Sequence, residues 1–303
     1  MANDVIEKII SDLEQSELDI MLYFVKKGNK KYVSYSPNVD INVKNVIIKL
    51  VTDYLRKKIS TSLVKYNPTR CPNIGEVAFC GIDYVGNFNE VLECLSISDN
   101  VDTTLEPNEI TFYCLVVSDK NEAFNYKFFR RVTKFRKLSK RGLIGTFMGN
   151  MFRKIDSEVF GIDGDIDLVA DDKQIIIFNN ISLERVFKLK EQFRTKATEA
   201  LDILERTNGI ANFEKFRADC LSNARIHRSL CKILGNISDL NKAFENFNNI
   251  KTAIDRFGVD VDIDEEKSQL IYTNKSQLKH ILDIVNDAYC RSYIREKDII
   301  NND

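Results

Sequence analysis

The chain has 303 residues, of which 44% are hydrophobic and 29% are charged, and its formal net charge at pH 7 is −1. These proportions are typical of a globular protein with a sizeable core, and they exclude a fibrous or disordered chain. Seven scattered cysteines without a CxxC pair predict reduced thiols in a cytoplasmic protein.

Hydrophobic periodicity predicts a small α/β domain over residues 1–120. Apolar residues recur at helical spacing in some segments and alternate or cluster in others, and turn residues separate the segments. The predicted helices cover residues 4–13, 42–58 and 87–95, and the predicted strands cover 17–25, 31–35, 62–66, 76–84 and 110–117.

A second domain is predicted over residues 121–303, with a hairpin sheet at 121–180 and a mainly helical part at 181–303. Two hairpins, 142–147 with 151–155 and 165–170 with 174–178, suggest a sheet of three or four strands. Beyond them, a helix over 183–205 capped by Ser182 is expected, followed by short helices within 212–246, a helix at 249–257, a hairpin from 259–263 and 270–272, and a helix at 276–286. The predicted fold class is therefore α+β.

Charge is sorted into two blocks in the middle of the chain. Residues 156–172 contain seven acids and no base, whereas residues 123–155, the basic block, contain ten bases and no acid. Without those ten, the chain would have 34 bases against 45 acids, so the basic block is positive and the rest of the chain is acidic. This is the distribution expected of a polyanion site. The predicted DNA-binding residues are Lys127, Arg130, Arg131, Lys134, Arg136, Lys137, Lys140, Arg141, Arg153 and Lys154.

Aromatic residues such as Tyr126 and Phe128 alternate with these cations, a combination that suits phosphate contacts and base stacking. If roughly eight of the side chains met phosphates on duplex DNA, the slope of log affinity against log salt would be about −7. The alternative is that the aromatic residues are core and the acids nearby neutralise the cations. A second basic stripe, formed by Arg217, Arg225, Arg228 and Lys232, could extend the same site, although a solvated helix face is the simpler interpretation.

Asp163, Asp165 and Asp167 form an acidic cluster that could share a cation, because alternate residues of a strand point the same way. The sequence does not fit a calcium loop, since Leu168 and Gln174 occupy the positions that need Gly and Glu. Paired aspartates also hold the two metal ions of nucleotidyltransferases, so a metal-dependent nuclease or nucleotidyltransferase is the alternative function.

Other catalytic signatures are missing from the sequence. His227 and His280 are the two histidines and are expected to be ordinary helix residues, and there is no P-loop or GxGxxG motif. No catalytic residues, resident metal or cofactor are therefore predicted. A pure scaffold, whose basic block pairs with acids of its own fold or of a partner, is a third possibility.

An ordered series of segments resembles the KwaB family of Kiwa anti-phage proteins over residues 120–295. The segments are the run from Lys127 through FFRRVTKFRKL, then RGLIGTF, MFRKIDSEVFGIDGDIDLV, IIIFN, SLERVFKLKEQF and LKHILDIVNDAYCRSYI. The first 120 residues match only in length and α/β character.

The resemblance implies a bacterial defence protein that binds phage DNA and blocks its replication or late expression. It also implies a homodimer without a known catalytic residue set, working with the membrane-embedded protein KwaA, which reports infection at the envelope. No secretory signal, apolar span or lipidation motif is recognisable. A cytoplasmic protein without direct membrane insertion, recruited to the inner membrane by its partner, is therefore expected.

Overall fold

The computed structural model describes residues 2–14, 17–28, 31–96, 109–121, 123–132, 145–148, 151–154, 161–234, 237, 242, 244–291 and 297–300. The chain forms two compact units. Unit 1 contains residues 1–66 and 72–188, and unit 2 contains residues 67–71 and 189–303. The sequence placed a domain boundary near residue 120. In the structure, strands on both sides of that residue pair directly with each other, so the first unit extends to residue 188.

Unit 1 combines helices with a mixed sheet, in agreement with the predicted α+β class. Its helices are α1 (Ala2–Leu13), α2 (Ile41–Arg56), α3 (Phe88–Ser96) and α4 (Asn180–Val186), with a short 3-10 turn at Ile82–Tyr84. Its strands are β1 (Leu18–Lys27), β2 (Tyr32–Tyr35), β3 (Ser62–Lys65), β4 (Glu76–Gly81), β5 (Phe112–Asp119), β6 (Asn125–Arg131), β7 (Gly145–Met148), β8 (Met151–Lys154), β9 (Leu168–Ala170) and β10 (Gln174–Ile177).

Eight of the described strands form one sheet in the order β2-β1-β5-β6-β9-β10-β4-β3. Both predicted hairpins form as β7–β8 and β9–β10. They do not share the small sheet that the sequence suggested. β9 pairs with β6 and β10 pairs with β4, so this hairpin completes the large sheet, whereas β7 and β8 pair with each other.

Apolar residues cover both faces of the large sheet. Asp40 caps α2 by accepting from the Asn42 backbone N–H at 2.8 Å. One turn apart, α2 then buries Ile47, Val51 and Leu55 in the core that also contains Phe128 of β6. Successive strand residues point to opposite faces. On the second face, the Phe129 ring packs on Phe112 of β5 and on Phe187, with ring centroids 6.1 and 5.6 Å apart.

The single helix expected at residues 183–205 is interrupted, and its expected cap is wrong. Asn179 caps α4 by accepting from the Ser182 backbone N–H, so Ser182 lies inside the helix. The chain then leaves helical geometry at Lys188, whose φ is 53°. The Lys188 ammonium lies 4.2 Å from the Tyr32 ring centroid and 3.6 Å from Glu90. Periodicity along the chain cannot reveal such tertiary contacts.

Unit 2 is mainly helical, as predicted. Its helices are α5 (Leu189–Arg206), α6 (Phe213–Leu221), α7 (Ala224–Ile233), α8 (Phe247–Phe257) and α9 (Gln277–Val285), and its strands are β11 (Ile210–Ala211), β12 (Asp262–Asp264), β13 (Gln269–Ile271), β14 (Tyr289–Arg291) and β15 (Asp298–Ile300). The core includes the buried residues Leu201, Phe216 and Tyr272. Within the second basic stripe, Arg217 is paired with Asp202 and Glu205 of α5.

Candidate anion-binding site

Arg130, near the end of β6, is bound by the three aspartates of the acidic cluster. Its Nη2 atom lies 2.6 Å from Asp163 Oδ2 and 3.0 Å from Asp165 Oδ2, and its Nη1 atom lies 3.0 Å from Asp167 Oδ1. Its Nε atom also donates to Asp163 Oδ1 at 2.9 Å. Burial alone would lower the pKa of Arg130, but these hydrogen bonds and charges outweigh it and raise the pKa. This guanidinium is therefore engaged within the protein.

The same contacts change the interpretation of the aspartates. Asp163, Asp165 and Asp167 precede β9 on a non-strand segment, and they surround an arginine. Within the described parts of the chain, no group of three or more His, Cys, Asp or Glu residues has the arrangement of a metal site. An ion pair with an arginine accounts for this cluster of charges.

Lys127 is also engaged internally. Its side chain is 7% exposed, and its ammonium nitrogen lies 2.8 Å from Asp172 Oδ1. The nitrogen also lies 3.4 Å from the Asn125 carbonyl oxygen. Within the basic block, Lys127 and Arg130 thus follow the alternative in which nearby acids neutralise the cations.

Arg131 differs from its neighbour because its side chain points to the other face of the sheet. Its backbone N–H donates to Asp167 Oδ2 at 2.7 Å. Its Nη1 atom is buried, and the described residues provide no hydrogen-bond partner for it. Burial and the positive charge of Arg185 lower the pKa of Arg131. An unsatisfied buried N–H costs about 1–3 kcal/mol, so the described residues hold this guanidinium without fully satisfying it.

Arg131 lines a cleft of about 250 Å³ in unit 1, which we call the cationic cleft. Its described lining residues include three cations and no carboxylate, and they are Lys27, Thr111, Phe112, Arg131, Val132, Arg185 and Val186. The Lys27 ammonium donates to the Arg185 carbonyl oxygen at 3.4 Å, which brings the end of β1 to the last turn of α4. Three positive charges from different elements therefore converge on one concave surface.

The sheet topology explains this convergence. β1 and β6 both run antiparallel to β5, so they run in the same direction and end at the same edge. Val25 of β1 and Arg131 of β6 both lie opposite Phe112 of β5. Lys27 lies two residues beyond Val25 and therefore projects from the same face. The cation pair at this edge is thus set by strand register.

The structure covers only part of the predicted DNA-binding set. Lys127 and Arg130 are buried or half-buried in ion pairs, and Arg131 lines the cationic cleft. The predictions for Lys134, Arg136, Lys137, Lys140 and Arg141 lie outside the described residues. Arg153 and Lys154 lie on β8, at positions whose side chains are not described. Sequence reasoning missed Lys27 and Arg185, because they are remote in sequence from the basic block and only the sheet register brings Lys27 near Arg131.

These features define a class: a mixed α+β protein with a cation-lined cleft at one edge of its sheet. None of its described helices is long and apolar enough to cross a membrane. The family model described as Kiwa protein KwaB-like matches residues 108–295, more than half of the chain. The chain therefore belongs to the KwaB family, which confirms the resemblance found in the sequence. No curated protein and no solved structure gave a match.

Membership of this family implies a component of Kiwa anti-phage defence, a system in which KwaA is the partner protein.

Proposed function

We propose that this protein is the DNA-binding effector of a Kiwa system and acts on phage DNA without catalysing a reaction. The observation that carries the proposal is the cationic cleft, in which Lys27, Arg131 and Arg185 converge and no described lining residue is acidic. In the sequence, Val132 is followed by residues 133–144, which contain five of the ten bases of the basic block and no acid. Positive charge on this scale favours phosphate backbones.

Binding of this kind is independent of sequence, because phosphate contacts carry no base information. Occupation of phage DNA in this way would block replication or late expression. The protein acts as a homodimer and is recruited to the inner membrane by KwaA, in keeping with its family. Copurification of KwaA with the protein from solubilised membranes, and the mass of the isolated protein in solution, test these two associations.

A filter-binding titration at several salt concentrations tests DNA binding. If about eight cations meet phosphates, log affinity falls linearly with log salt at a slope of about −7. Duplexes of unrelated sequence give the same affinity within a few-fold. An affinity that ignores salt would refute binding led by phosphate contacts.

The absence of catalysis has its own test. The engagement of Asp163, Asp165 and Asp167 with Arg130 supports a structural role for the aspartates that a nuclease or nucleotidyltransferase would need. DNA or labelled nucleoside triphosphates incubated with the protein and Mg²⁺ or Mn²⁺ remain unchanged. Turnover that disappears in an Asp163→Asn, Asp165→Asn variant would establish the enzyme instead.

A further inference from the structure

The cationic cleft has the properties of a site for a single, defined group rather than of a diffuse basic surface. It is concave, and three elements supply its cations: β1, β6 and α4. Burial and, after it, the positive charge of Arg185 lower the pKa of Arg131. Arg131 is partly buried and Arg185 is exposed. An anion bound between them would offset the repulsion between their like charges.

Hydrogen-bonding capacity points to the same conclusion. Arg131 carries a buried Nη1 atom with no partner among the described residues, although its backbone N–H is already satisfied by Asp167. Thr111 contributes little, since its hydroxyl donates to the Val25 carbonyl oxygen at 2.9 Å. The guanidinium groups of Arg131 and Arg185 line the cleft, and such planar forks match oxyanions in a bidentate manner.

We infer that the cationic cleft binds one phosphate group, held by Arg131 and Arg185 with Lys27 beside them. A phosphate has enough oxygens to accept from three cationic side chains at once, whereas a carboxylate has two and carries a single charge. The apolar lining residues Phe112, Val132 and Val186 leave room for a sugar or base beside it without adding a competing acceptor side chain. The inference rests on the proposed function only for the source of the phosphate, which is DNA.

The test uses the full chain and inorganic phosphate as the probe. The thermal midpoint is measured in phosphate, acetate and chloride at equal pH and ionic strength, because a ligand that binds only the folded state raises the midpoint. Phosphate raises the midpoint above chloride, and acetate does not. Arg185→Gln weakens phosphate binding by about tenfold or more, the loss expected for one charged hydrogen-bonding group.

Lys173→Gln is the matched control, since Lys173 is an exposed cation of unit 1 in the β9–β10 turn, away from the cleft residues. This variant keeps the response to phosphate. An equal response in Arg185→Gln and the parent protein, or no response in either, would overturn the inference. A response to acetate as large as that to phosphate would overturn it in favour of a carboxylate ligand, such as an acidic peptide.

Oligonucleotides distinguish the two sources of a phosphate. If the cleft takes a chain terminus, a 5′-phosphorylated strand binds more tightly than its 5′-hydroxyl counterpart, and Arg185→Gln removes the difference. If it takes a backbone phosphate, both strands bind alike and Arg185→Gln weakens both. A phosphate response without DNA binding refutes the proposed function and leaves the site standing. DNA binding that is unaffected by Arg185→Gln, together with no phosphate response, refutes the site and leaves the function standing.

Discussion

Asp167 and Arg130 form an ion pair that is largely removed from solvent, with Oδ1 and Nη1 3.0 Å apart and side chains that are 3% and 18% exposed. The second oxygen of Asp167 accepts from the backbone N–H of Arg131 at 2.7 Å. One carboxylate therefore binds two consecutive residues of β6. It fixes Arg130 on the face occupied by α2 and leaves the Arg131 side chain on the opposite face, where the cationic cleft lies.

Removal of Asp167 should destabilise the protein substantially. We expect Asp167→Ala to lower the free energy of unfolding by about 3 kcal/mol, the lower end of the range for a broken buried ion pair. The lower end applies because Arg130 keeps Asp163 and Asp165 as partners. Urea unfolding followed by circular dichroism measures the change.

Asp165→Ala is the matched control, because it removes a partner of the same arginine whose side chain is 63% exposed. Its expected cost is below about 1 kcal/mol, as for other solvent-exposed pairs. Equal losses in the two variants would contradict the special role assigned to Asp167.

The local elements of the fold follow from periodicity, and their assembly does not. The helix containing Ile47, Val51 and Leu55 could be predicted because its apolar residues recur at helical spacing. β6 is not among the strands predicted from the sequence, because its residues NYKFFRR end in charges that hide the apolar pattern of a strand. Its pairing with β5 joins residues 7 to 19 positions apart, and its pairing with β9 joins residues 39 to 43 positions apart.

The candidate site shows the same division. Charge counting found Arg131 but could not separate it from Arg130, although one lines the cleft and the other is enclosed by aspartates. The separation depends on strand alternation, which becomes useful only once β6 is known to be a strand. Lys27 and Arg185 carried no signal in the sequence, because the contact between them joins residues 158 positions apart.

Tyr272 provides a test of unit 2. Tyr272 is fully buried, and its hydroxyl donates to Asp219 Oδ2 at 2.7 Å. We expect Tyr272→Phe to lower the free energy of unfolding by about 1.5–3 kcal/mol, the range for hydrogen bonds to charged groups. Urea unfolding measures the loss. Tyr23→Phe is the control, since the Tyr23 hydroxyl donates at 3.4 Å to the sulfur of Met21, a weak acceptor, and should cost much less.

Buried thiols should make the protein sensitive to alkali. Burial raises the pKa of Cys80 and of Cys220 to about 12, from an ordinary value of 9.0. Between pH 9 and 12, the unfolded state therefore releases protons that the folded state retains. The contribution of the two protonated thiols to the stability of the folded state is fully present below pH 9 and is lost as the pH rises towards 12.

Urea midpoints measured from pH 8 upwards, at steps of about one pH unit, check that stability falls as the pH rises. Cys220→Ala should show a shallower loss of stability with pH than the parent protein, by up to about 1.4 kcal/mol for each pH unit. Cys71→Ala removes an exposed thiol and serves as the control. Stability that rises between pH 9 and 10 would contradict the prediction.

The two neighbouring arginines of β6 should give opposite phenotypes. Arg131→Gln is expected to make the salt slope of DNA binding less steep by about 0.9, the contribution of one phosphate contact. It should leave the urea midpoint unchanged or raise it, because burial and Arg185 already disfavour the charge on Arg131.

Arg130→Gln should lower the urea midpoint, since it leaves Asp167 without its guanidinium partner, and should preserve the salt slope. Circular dichroism confirms that each variant is folded at the temperature of the binding assay. Equal losses of salt dependence in both variants would show that strand alternation does not divide the two arginines into structural and DNA-binding roles.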